Sequence, residues 1–64
     1  MQRDDLMKRL EQRAFERRIG FSSVFRKAGV SYTVLYRWQR GECVPTLPTI
    51  GKLERQLEAM EAAS

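Results

Sequence analysis

Apolar residues recur at helical spacing along almost the whole chain, and no stretch alternates as a half-buried strand would. Leu6, Leu10 and Ala14 lie four apart, Met7 and Phe15 widen that stripe, and Arg9, Arg13 and Arg17 fall on other faces. This predicts a first helix over about 4–19, capped by Asp4 or Asp5 and ended by Gly20. Acids in its first turn also suit the positive end of the helix dipole. A short second helix is predicted over about 22–28, with Val24, Phe25 and Ala28 inward and Arg26 and Lys27 outward. Gly29 should end it, because glycine accepts a positive φ at a tight turn without steric cost.

After Val30, Ser31 is placed as an N-cap for a third helix over about 32–40, which Gly41 closes. Glu42, Cys43, Val44 and Pro45 read as a loop. Thr46 can then cap a fourth helix over about 47–62, with Pro48 in the first turn, where a missing N–H does no harm. Leu47, Ile50, Leu53, Leu57 and Met60 line one side of that helix. Gly51 interrupts it at a cost of up to ~1 kcal/mol relative to alanine, which close approach of another helix would explain. The expected fold is all-α, and nothing repetitive or linker-like divides residues 1–64, so one domain is expected.

The 64 residues include one cysteine, Cys43, and no histidine, so neither a disulfide nor a zinc ligand set can be written. No metal and no cofactor are expected. A chain this short buries only about 60% of its unfolded surface. Association with a second copy is the remaining way to add stability, so a homodimer is expected. A lone thiol fits a reducing cytosol. No apolar run approaches the roughly 20 residues that span a bilayer, and the N-terminus is polar, so the expected location is a prokaryotic cytosol or nucleoid, away from membranes. An enzyme is not expected: there is no glycine-rich phosphate loop and no nucleophile beside a base. Cys43 reads as a small filler, and Asp4/Asp5 and Glu54/Glu58 as helix ends or solvated faces.

Charge is unevenly distributed. Residues 1–20 hold six bases and four acids, residues 42–64 two bases and four acids, and residues 21–41 four bases and no acid. The acid-free segment is the kind of surface a polyanion requires. It contains the third helix, on which Val34, Leu35 and Trp38 form an apolar side. Tyr32, Thr33, Tyr36, Arg37 and Arg40 collect opposite. Arginine can bond bidentately to guanine, and threonine and tyrosine can reach base edges or phosphates. A merely solvated face usually mixes both signs of charge.

The run Phe25-Arg-Lys-Ala-Gly-Val-Ser-Tyr-Thr-Val-Leu-Tyr-Arg-Trp-Gln-Arg-Gly41 resembles the helix-turn-helix of the phage repressor and Cro-type family, also called the Xre type. The likeness continues through Pro45-Thr46-Leu47 and covers residues 20–60. It implies a compact four-helix, lambda-repressor-like domain and a sequence-specific regulator of transcription, foremost a homodimeric repressor on an inverted-repeat operator. A phage or mobile-element origin goes with so small a chain. The resemblance places Val24, Gly29, Val30, Leu35 and Trp38 at the junction of the two helices. It places Tyr32, Thr33, Tyr36 and Arg37 at base edges. Phosphate contacts fall to Arg40 and to Phe21, Ser22 and Ser23 at the start of the second helix, with Arg26 and Lys27 adding charge.

Two positions depart from the family pattern. Phe25 stands where a small residue is usual, which requires a wider crossing or a ring turned toward the first helix. Phe21 stands where a polar phosphate ligand is common. The rival reading is an antitoxin-like or adaptor protein acting through protein contacts. For a dimer contact the candidates are Leu53, Leu57 and Met60, whose 3-4 spacing suits a helix seam; part of that stripe is expected to cover the core, with its C-terminal end reaching the partner.

Overall fold

The computed structural model describes residues 2–63, which form α1 (Arg3–Glu16), α2 (Phe21–Ala28), α3 (Tyr32–Gln39) and α4 (Leu47–Ala63), with no strand among the described residues. The first three helices end in the same way, on a left-handed residue. Gly29 has φ 77° and Gly41 φ 75°, and the next amides reach back to seal the helix: Val30 N to Phe25 O at 2.9 Å and Glu42 N to Arg37 O at 2.9 Å. The third such residue is Arg18 at φ 57°, with Ile19 N bonded to Ala14 O at 2.8 Å. The first helix therefore stops well short of Gly20. Placing Ile19 against the core compensates for the left-handed arginine. Gly20 instead opens α2, its carbonyl accepting from Ser23 N and Val24 N.

Helix starts agree only partly with expectation. Ser31 caps α3, its Oγ accepting from Thr33 N at 3.2 Å. At α1 the cap position is Gln2 and makes no side-chain bond, and Asp4 and Asp5 lie inside the first turn. Thr46 precedes α4 with its carbonyl accepting from Ile50 N at 2.9 Å, while its hydroxyl sits 3.3 Å from that of Thr49.

The core is assembled from every helix: Met7, Leu10 and Ala14 of α1, Val24 and Phe25 of α2, Leu35 and Trp38 of α3, and Ile50, Leu53 and Leu57 of α4. α4 packs on both α1 and α2, and α2 also packs on α3. Phe25 is fully buried, with its ring edge-on to Phe21 at 5.1 Å, so the chain accommodates this large ring as core. Phe21 in turn meets the Trp38 ring at 6.1 Å.

Two expected core positions are not core. Phe15 is 78% exposed and Leu47 60% exposed. At 100° per residue, Phe15 lies nearly a third of a turn from the mean direction of Met7, Leu10 and Ala14, and Leu47 about a quarter turn from that of Ile50, Leu53 and Leu57. Gly51 faces away from the core altogether, and a Cβ built on it meets no atom within 4 Å. Among the described residues nothing crowds the place of that Cβ, contrary to the expected close approach of another helix. Gly51→Ala is therefore expected to raise stability by up to ~1 kcal/mol, seen as a higher urea midpoint with an unchanged slope. A fall would mean that the position is crowded.

Two polar ties lock the helices together. Arg13 of α1 meets Glu61 of α4 at 2.7 Å and Glu54 at 3.9 Å. The Trp38 indole N–H donates to Asp4 Oδ1 at 2.8 Å, and Asp4 Oδ2 lies 3.1 Å from Lys8. The second tie joins the start of α1 to α3. Among the described residues no buried side-chain N or O atom lacks a partner.

Candidate nucleic-acid interface

α3 is only eight residues long, and packing rather than length holds it in place. Leu35 and Trp38 are buried and Val34 is half-buried, so three of its eight residues anchor one side. The three residues Gly29, Val30 and Ser31 connect it to α2: the left-handed glycine turns the chain, Val30 packs against the core, and Ser31 caps the new helix. Val24, Leu35 and Trp38 are buried and Val30 packs against the core beside the α2–α3 turn.

The other side of α3 faces outward. Tyr32, Thr33, Tyr36 and Arg37 are all exposed, so all the candidate base-reading side chains are accessible on one short helix. Tyr32 and Tyr36 stack on each other, with ring centroids 6.4 Å apart and planes 25° from parallel. No carboxylate occurs on the helix.

The candidate phosphate contacts are more varied. Arg26 and Lys27 are exposed at the end of α2. Ser22 is exposed and Ser23 half-buried at its start, where first-turn amides and the helix dipole favour an anion and no acid intervenes. Phe21 is half-buried against Phe25 and Trp38, so what it can offer a phosphate is its backbone amide. Arg40 pairs with Glu42 at 2.7 Å. Both side chains are more than half exposed, and a pair of this kind is worth only about 0–1 kcal/mol, so a phosphate can displace it.

The Glu42 partner is legible locally, two residues beyond Arg40. Asp4 is different: a buried tryptophan N–H calls for an acceptor, but no rule of spacing selects a residue 34 positions away. The indole bond, and after it the Lys8 ammonium, hold the Asp4 carboxyl below its ordinary range. Glu61 is lowered likewise, chiefly by Arg13. A carboxylate depressed in the folded state stabilises it above the unfolded pKa, and that contribution is lost as pH falls through the folded one. Asp4→Asn should therefore lower the melting temperature at neutral pH and converge with the parent as pH drops below about 4; parallel pH profiles would show that the Asp4 charge has no part in stability.

The dimer candidates on α4 divide. Leu53 and Leu57 are fully buried within the chain, because α1 and α2 already occupy that stripe, and only Met60 reaches the surface. Cys43 is exposed, so it fills no space in the core. Among the described residues no cluster of three or more His, Cys, Asp or Glu is arranged to hold a metal, and no helix is long and apolar enough to cross a membrane. No protein-family model, no curated protein and no solved structure matches the chain.

Proposed function

We propose that this chain is a sequence-specific duplex-DNA-binding regulator of the phage repressor and Cro type, with α2 and α3 as its helix-turn-helix and α3 entering the major groove. The observation that carries this reading is the outer face of α3: Tyr32, Thr33, Tyr36 and Arg37 exposed together, without a carboxylate, on a helix anchored behind by Leu35 and Trp38. A groove-reading helix needs donors and cations outside and a rigid seat inside. Arg26, Lys27 and Arg40 and the first-turn amides of α2 supply the salt-dependent phosphate term, which orients the domain without specifying sequence.

The described residues extend 32 × 23 × 19 Å, so along any axis one copy fits within a turn of duplex, ~34 Å. Two copies side by side then read successive major grooves of an inverted repeat, and binding represses by occupying a promoter. Of the dimer candidates Leu53, Leu57 and Met60, Met60 and the surface around it are left for such a pairing.

The test is selection from random duplex DNA, with the affinity of the enriched site followed against salt. Arg37→Ala is expected to weaken binding to that site by about 1–3 kcal/mol and leave the melting curve unchanged, as loss of a bidentate base contact does. Unchanged affinity would remove Arg37 from the readout. Failure of the folded protein to enrich any duplex would favour the antitoxin-like or adaptor reading.

A further inference from the structure

We infer that Tyr32 and Tyr36 act together as a reader of the C5-methyl group of thymine, so that the recognised half-site contains thymine at the positions facing α3. The inference rests on the duplex-DNA reading above and concerns the specificity of that same site.

The two rings are the unusual part of the α3 surface. They are 40% and 54% exposed, lie one helical turn apart, and stack with centroids 6.4 Å apart and planes 25° from parallel. Neither is needed to close the core beneath, which Leu35 and Trp38 fill. The result is a continuous aromatic strip beside Thr33 and Arg37 on a face otherwise made of polar and cationic groups. Leaving that strip in water is unfavourable, and burying it against a wholly polar surface gains little.

The floor of the major groove is mostly donors and acceptors, and its one apolar feature is the thymine methyl. A methyl packed on an aromatic ring buries apolar area on both sides without leaving a polar group unpaired. The tyrosine hydroxyls remain available to donate to base edges or phosphates. Each ring has only two side-chain torsions, and stacking restrains both rings before binding, which reduces the entropy lost on contact. Since base pairs rise about 3.4 Å, rings 6.4 Å apart span at most two steps. The methyls they meet therefore belong to neighbouring or next-but-one base pairs. Arg37 is exposed on the flank of the same helix, where its guanidinium can reach a guanine near those methyls.

5-Methylcytosine carries the same methyl, so the experiment must separate the two bases. Random duplex libraries containing either cytosine or 5-methylcytosine are selected against the full chain. The thymines of the enriched duplex are then replaced one at a time by uracil, which removes the methyl and leaves base pairing intact. At the positions facing α3, uracil is expected to weaken binding about fourfold per methyl, the ratio that burying one such group carries. In Tyr32→Ala and Tyr36→Ala that discrimination should fall toward one while the melting curve stays close to that of the parent.

Equal affinity for thymine and uracil at every position would overturn the inference and leave the duplex-DNA reading intact. So would discrimination that survives in both tyrosine variants, since the methyl would then be sensed elsewhere. Enrichment confined to the 5-methylcytosine library would move the contact to cytosine and overturn the thymine assignment. A folded protein that enriches no duplex at all overturns the functional reading itself, and the inference with it.

Discussion

Trp38→Ala is expected to destabilise the protein by about 3–5 kcal/mol, the cost of truncating a large aromatic in a core. Only 8% of Trp38 is exposed, Phe21 packs against its ring, and its N–H is bonded to Asp4, so truncation opens a void and breaks the tie between α1 and α3 together. Total stability for a domain of this size is roughly 3–10 kcal/mol, so the variant should sit near or beyond its unfolding midpoint without denaturant. Trp38→Phe keeps an aromatic ring and loses the donor and some volume, and a smaller loss of about 1–3 kcal/mol is expected. Urea titration followed by circular dichroism checks both. An unaltered transition in Trp38→Ala would mean that the two faces of α3 are assigned backwards, and the proposed reading face would fail with it.

Phe25→Ala should be comparably costly, about 3–5 kcal/mol, because Phe25 is the bulkiest of the fully buried side chains and a small core cannot collapse around so large a void. Its effect should not add simply to that of Trp38→Ala. Phe21 touches both rings, so the double variant should differ from the sum of the singles by an interaction energy on the order of 0.5–3 kcal/mol, measurable in a double-mutant cycle. Phe21, Phe25 and Trp38 form one aromatic cluster across α2 and α3. A near-neutral Phe25→Ala would show instead that the α2–α3 crossing closes equally well over a small side chain.

Both variants disturb the seat of α3, whereas Arg37→Ala and the two tyrosine replacements alter only its exposed face. Comparing the two sets separates stability from recognition. If α3 reads DNA, the exposed set changes affinity with melting unchanged, and the buried set changes melting first.

What the sequence determined by itself was mostly what is written within one helical turn. Four helices, the left-handed ends at Gly29 and Gly41, the Ser31 cap and the burial of Leu35 and Trp38 follow from spacing, capping chemistry and glycine's freedom at positive φ. The grouping of Tyr32, Thr33, Tyr36 and Arg37 on one exposed side of α3 was legible for the same reason, since a helix of known phase puts those positions together.

Tertiary structure decided which parts of each apolar stripe are covered, because a stripe does not say how wide its neighbour is. Phe15 and Leu47 fall outside the contact, Leu53 and Leu57 are consumed by α1 and α2, and Gly51 meets open space. It also decided where α1 stops: a core seat for Ile19 outweighs the cost of a left-handed Arg18, a balance invisible without the partners of that seat. Above all it brought Asp4 to Trp38 and Glu61 to Arg13. Such pairs depend on how helices far apart in the chain are docked, and docking is set by the summed packing of all four helices rather than by any local run of residues.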